Sequence, residues 1–113
     1  MAYRLVRATP KCDRLDDLRD RLDSGDINEL EPFGRAMTRA LDRARFDPDT
    51  GEAVWVEEDY CSPPLAMERP VLETYFESVT VVEESVDEAA GWARLDDLPS
   101  LWERDGSVTA ATR

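Results

Sequence analysis

The stretch EAVWVEED, residues 52–59, constrains the fold more than any other segment. Its side chains alternate between two faces with period 2. Ala53 and Trp55 fall on one face, Val54 and Val56 on the other, so both faces are apolar. A strand of that kind belongs in the middle of a sheet rather than at an edge. The rest of the chain has to supply its neighbours and its cover.

Residues 2–8, AYRLVRA, read as a first strand that Pro10 ends. Leu15, Leu18 and Leu22 recur at helical spacing, with Asp13 as N-cap and Gly25 at the stop, which gives a helix over 13–24. Asp17 and Arg21 have the favourable i,i+4 polarity. Pro32 suits the first turn of a second helix running through residue 45. Phe33, Met37, Ala40, Leu41 and Ala44 line one face of it, and Arg35, Arg39 and Arg43 the other. DPDTGE, 47–52, reads as a hairpin-type turn. It resembles a calcium loop only superficially, because its glycine comes one position early and the bidentate Glu is missing.

Pro63 and Pro64 force an extended, irregular connection, and Pro70 opens a short third helix with Leu72, Tyr75 and Phe76 inward. SVTVVEES, 78–85, is a third strand. DEAAG, 87–91, reads as a loop or turn, WARL, 92–95, as a fourth strand, and LPSLW, 98–102, as a helical strap over the core. Trp55, Trp92 and Trp102 read as packing residues. This order predicts an α+β fold: a two-layer domain with a small mixed sheet of three to four strands and two or three helices on one face. It forms a single domain over 1–104, with a loose tail at 105–113. Connection lengths permit parallel pairing of the first two predicted strands.

Charge sets the chemical setting. The chain of 113 residues carries 26 acidic and 14 basic side chains, net −12, with one lysine (Lys11) and no histidine. Short carboxylates hold water and cations, whereas long lysine stems expose apolar surface. The composition therefore predicts a salt-adapted surface on which most carboxylates serve solvation. Residues 1–45 are net +1 and residues 46–113 net −13. With no long apolar run and no signal-peptide pattern at the N-terminus, the expected setting is cytoplasmic, with reduced thiols and no membrane span.

Absences exclude much chemistry. Without histidine there is no Ser-His-Asp or Cys-His device and no imidazole metal site. GxGxxG and GxxxxGK[ST] are both missing. Cys12 and Cys61 remain as candidate thiols. Lys11 and Arg14 beside Cys12 favour a thiolate, whereas Glu58, Asp59 and Glu68 around Cys61 favour the neutral thiol. Two thiols are too few for a structural zinc site unless carboxylates or a second subunit complete it. The sequence thus predicts no cofactor and no metal. The Arg35, Arg39 and Arg43 stripe invites nucleic acid, but molar salt shortens the Debye length to about 3 Å and the acidic remainder repels a duplex. The stripe fits a carboxylate-bearing partner better.

The loop YCSPPLAMERP, 60–70, is the first choice for a contact surface, with Tyr60, Leu65 and Met67 anchoring it or lining a groove. CSPPLAMERPVLETYF, ATPKCDRLDDLRDRL and GWARLDDLPSLW together resemble a family of small, acidic, uncharacterised proteins of halophilic archaea, over residues 1–104. The resemblance implies a salt-adapted cytosolic setting and carries no activity, cofactor or catalytic residue. The leading expectation is a non-enzymatic interaction or accessory domain that forms a homodimer or binds another protein. The alternatives are a thiol-dependent enzyme or redox protein using Cys12, with or without Cys61, and nucleic-acid binding through the stripe.

If the acidic surface is an adaptation to salt, screening its self-repulsion stabilises the fold. The thermal midpoint is expected to rise between dilute buffer and about 2–4 M KCl. Equal stability in the two conditions contradicts that reading.

Overall fold

The structure is a computed structural model and describes residues 3–11 and 13–103. The chain runs β1 (Tyr3–Pro10), α1 (Leu15–Asp23), α2 (Gly34–Asp42), β2 (Arg45–Asp47), β3 (Glu52–Glu58), α3 (Arg69–Tyr75), β4 (Phe76–Glu83) and α4 (Glu88–Ala93). The four strands form one sheet in the order β2-β3-β1-β4. β3 is interior, as its two apolar faces require. Leu5 pairs opposite Val56 and Val6 opposite Trp55. The chain forms the small α+β domain that its pattern predicts.

The sheet is not mixed. Its strand pairings among the described residues are all antiparallel. The reason is a short strand that hides in the sequence. β1 and β2 both run antiparallel to β3, so β2 runs in the direction of β1. The excursion through α1 and α2 thus delivers a strand along β1, but that strand is RFD. The DPDTGE hairpin then reverses the chain into β3, with Asp47 O accepting from Gly51 N–H and Gly51 at φ +76°. Arg45 to Asp47 carry no periodicity that separates them from the end of α2.

WARL is likewise not a strand. Residues 88–93 form α4, and the Asp87 carboxylate caps it by accepting from Ala90 N–H at 3.0 Å. DEAAG is the start of that helix. Asp13 does not cap α1. It sits at φ 66°, and Arg14 occupies the cap position without a side-chain bond. Asp17 pairs with Arg14, and Arg21 with Asp26, so the Asp17–Arg21 pair is not made. Pro32 precedes α2 instead of opening it. The strap at 98–102 is present but is not helical throughout: residues 98–100 are not helical, and helix begins only at Leu101. It closes the outer edge of β2 through Phe46 N–H to Pro99 O and an antiparallel bridge between Arg45 and Ser100.

Both faces of β3 are buried. On the Val56 face, Ala36 and Ala40 of α2 line a cleft together with Val56, and Gly91 of α4 approaches the Val56 side chain. On the opposite face the Phe76 ring meets Trp55 at 5.4 Å between centroids. Leu15, Leu18 and Leu22 of α1 and Met37 and Leu41 of α2 complete the core. All three tryptophans pack. Trp55 and Trp92 are buried, and half-buried Trp102 donates its indole N–H to Leu41 O at 2.7 Å. Residues 105–113 and Cys12 lie outside the described residues.

Gly34 is the tightest backbone approach. A Cβ there would lie 2.2 Å from Ile27 O and 2.9 Å from Asn28 O. These are backbone atoms and cannot swing aside. Gly34→Ala is expected to cost at least about 3 kcal/mol in urea unfolding, and a loss below about 1 kcal/mol contradicts the packing described.

Candidate functional site

The end of β3 is where the chain stops being an ordinary sheet. Alternation along the strand places Glu57 on the Trp55 face, and Asp59 follows it just past the strand end. Asp59 then collects donors. Its Oδ2 accepts from Leu65 N–H at 2.8 Å and from Arg4 Nε at 3.1 Å, and its Oδ1 accepts from Cys61 N–H at 3.2 Å. Arg4 also donates to Cys61 O at 3.0 Å and to the Glu84 carbonyl. The proline loop is therefore folded back on the sheet, and Leu65 is held at φ 64°, a conformation a branched side chain rarely adopts. Burying Leu65 completely and satisfying its N–H offset that strain.

Folding the loop back assembles a cluster. Glu57, Asp59 and Glu68 are all buried, and Cys61 is half-buried among them. Cys61 Sγ lies 3.7 Å from Glu68 Oε1. Asp59, Cys61 and Glu68 each offer one ligand atom within 4.8 Å of the others. Glu57 Oε1 accepts from Trp55 Nε1–H at 2.9 Å, and its Oε2 is buried with no hydrogen-bond partner among the described residues.

The protonation states follow from these surroundings. Burial pushes Glu57 up to about 8, and the Glu68 and Asp59 charges add to it, against the Trp55 hydrogen bond. Burial and the Asp59 charge push Glu68 to about 7. Burial alone would raise Asp59 too, but the Leu65 and Cys61 N–H groups and the Arg4 guanidinium outweigh it and hold Asp59 low. The Met67 backbone favours the Cys61 thiolate, yet burial and the Asp59 and Glu68 carboxylates raise its pKa overall. Asp59 is thus the ionised member, with protonated or proton-sharing groups around it.

Beside the cluster opens a cleft of about 490 Å³. Tyr60 and Met67 of the proline loop form one side, and Phe33, Arg35 and Arg39 the other. Asp59, Cys61 and Glu68 reach its wall. Two groups of residues singled out separately in the sequence thus share one surface. Leu65 does not line the cleft; it is the loop's anchor. Arg43 is elsewhere, stacked over the Trp92 ring at 4.1 Å from its centroid. Tyr60 and Met67 are 64 % and 46 % exposed, unusual for large apolar side chains.

In the sequence Asp59 and Glu68 stand out only as neighbours of Cys61, and Glu57 does not stand out at all. The available signal was period: Glu57 continues the Trp55 face of an interior strand, so it had to be buried. No family model, no curated protein and no solved structure matches this chain. No helix among the described residues is long and apolar enough to cross a membrane.

Glu57 makes stability depend on pH. Its folded pKa lies above the unfolded value of 4.5, so the unfolded chain releases the proton first. Its contribution is therefore intact below pH 4.5 and is lost as pH rises to about 8. In chelator-treated protein, Glu57→Gln is expected to match wild type at pH 5 and exceed it by on the order of 3–5 kcal/mol at pH 8, by urea unfolding. An equal difference at both pH values contradicts a neutral, buried Glu57.

Proposed function

We propose that this protein is a non-catalytic binding module, and that the cleft between the proline loop and α2 is its contact surface. The observation that carries this reading is the convergence of Tyr60 and Met67 with Arg35 and Arg39 on one cleft. The occupant is a protein segment that presents an apolar side chain next to carboxylates. Apolar burial against Phe33, Tyr60 and Met67 supplies affinity. The exposed guanidiniums of Arg35 and Arg39 supply selection for carboxylates through forked hydrogen bonds, which act at contact and survive screening. A second copy of this acidic chain has the right charge, as does an acidic subunit of another kind.

Of the thiol-enzyme alternative's two cysteines, Cys12 lies outside the described residues, and Cys61 supports it little. Cys61 has a raised pKa and carboxylate neighbours, the opposite of an activated nucleophile. Nucleic acid also has less support, because Arg43 is stacked on Trp92 and Arg39 lies 3.6 Å from Glu58. Salt adaptation, a cytoplasmic setting and kinship with halophile proteins belong to this reading as its context.

Sedimentation in about 2–4 M KCl and amide chemical-shift mapping test it together. The mapping probe is a short peptide of alternating leucine and aspartate, with a leucine–lysine peptide as control. Expected is either a dimer that Met67→Glu and Arg39→Glu dissociate, or saturable shifts at Phe33, Arg35, Arg39, Tyr60 and Met67 with the acidic peptide only. A monomer that shows no such shifts, or equal shifts with both peptides, overturns it.

A further inference from the structure

Asp59, Cys61 and Glu68 form a donor set, and Glu57 gives it a reason to take a ligand. Three carboxyl groups, Glu57, Asp59 and Glu68, are buried, and Arg4 pairs with Asp59. Within that set Glu57 Oε2 is fully buried and unpartnered. Glu57 lies near the end of β3, two residues before Asp59. A buried carboxyl oxygen with no hydrogen-bond partner is costly.

We infer that this cluster is a binding site for a borderline divalent transition metal of the zinc class, held by Cys61 Sγ, Asp59 Oδ1 and a Glu68 carboxylate oxygen. The donors select the metal. One thiolate with two carboxylates is too soft for magnesium or calcium, which take oxygen alone, and too hard for copper(I). The three ligand atoms already stand within 4.8 Å of one another. Asp59 Oδ2 is used by Arg4 and Leu65 N–H, which fix the carboxylate's orientation, while Oδ1 accepts from Cys61 N–H. Glu57, buried and two residues before Asp59, is the outer partner of this set. Three protein ligands leave a fourth position for water or a guest donor. Because Asp59, Cys61 and Glu68 also reach the cleft wall, that position opens toward the cleft. Binding displaces the Cys61 thiol proton and those shared by the carboxyls, so charge is conserved as metal enters. The site stands independently of what occupies the cleft.

Cobalt(II) titration of the reduced 113-residue chain is the test, since cobalt–thiolate bonding gives a near-ultraviolet charge-transfer band. Expected is a band that saturates at one equivalent and is displaced by zinc. Cys61→Ser is expected to abolish the band and weaken zinc binding by at least about 100-fold, beyond the loss typical of an outer partner. Glu68→Gln weakens it while keeping the band. Glu57→Gln costs about tenfold, and Cys12→Ser changes nothing. Circular dichroism confirms that each variant is folded, and Glu68→Gln carries the test if Cys61→Ser is not. The inference is overturned by weak multi-equivalent binding without a band, which is surface carboxylate binding only. A band that survives Cys61→Ser or depends on Cys12 overturns it as well.

Discussion

One carboxylate organises the functional end of this molecule. Asp59 accepts from Arg4 on β1, from Cys61 just past the end of β3, and from Leu65 in the proline loop. Those bonds tie two neighbouring strands to the loop that leaves them. A buried carboxylate is tolerated only when donors surround it, and here the backbone supplies two and the guanidinium a third. Everything local follows. Leu65 is driven into the core in a left-handed conformation, Glu68 is brought beside Cys61, and Tyr60 and Met67 are left outside as one side of a cleft.

The acidity of the chain therefore has two meanings. Most carboxylates are exposed and fit a solvating surface. Glu57, Asp59 and Glu68 are not, and their burial costs free energy that packing alone does not return. Composition hides this division, because a surface aspartate and a buried one look identical in a charge count. The proposed cation and the proposed partner segment meet at the same wall, so a metal-bound cluster changes the charge that the cleft presents to a guest.

Much of the scaffold was legible in residue pattern, and the reasons for the failures are physical. EAVWVEED announced an interior strand because both its faces are apolar. The leucines of α1 and the Met37–Leu41 face of α2 announced helices because their spacing is 3.6. RFD was invisible because a three-residue strand is stabilised by its hairpin and strap, not by its own composition. WARL failed because Trp92 and Leu95 are spaced as readily for one helical turn as for a strand end, and the deciding Asp87 cap lies five residues upstream of Trp92. The proline loop was legible as a rigid surface. The cluster beneath it was not, because it depends on contact between residues far apart in sequence, Arg4 and Asp59 above all.

The central claim is that Asp59 holds the proline loop against the sheet. Native-state hydrogen exchange of the Leu65 amide tests it most directly, because that N–H donates to Asp59 and to nothing else recorded in the structure. The account predicts that the Leu65 amide exchanges as slowly as the β3 amides of Val54 and Val56. Exchange as fast as that of an unprotected peptide amide would show that the loop is not anchored and would contradict the account.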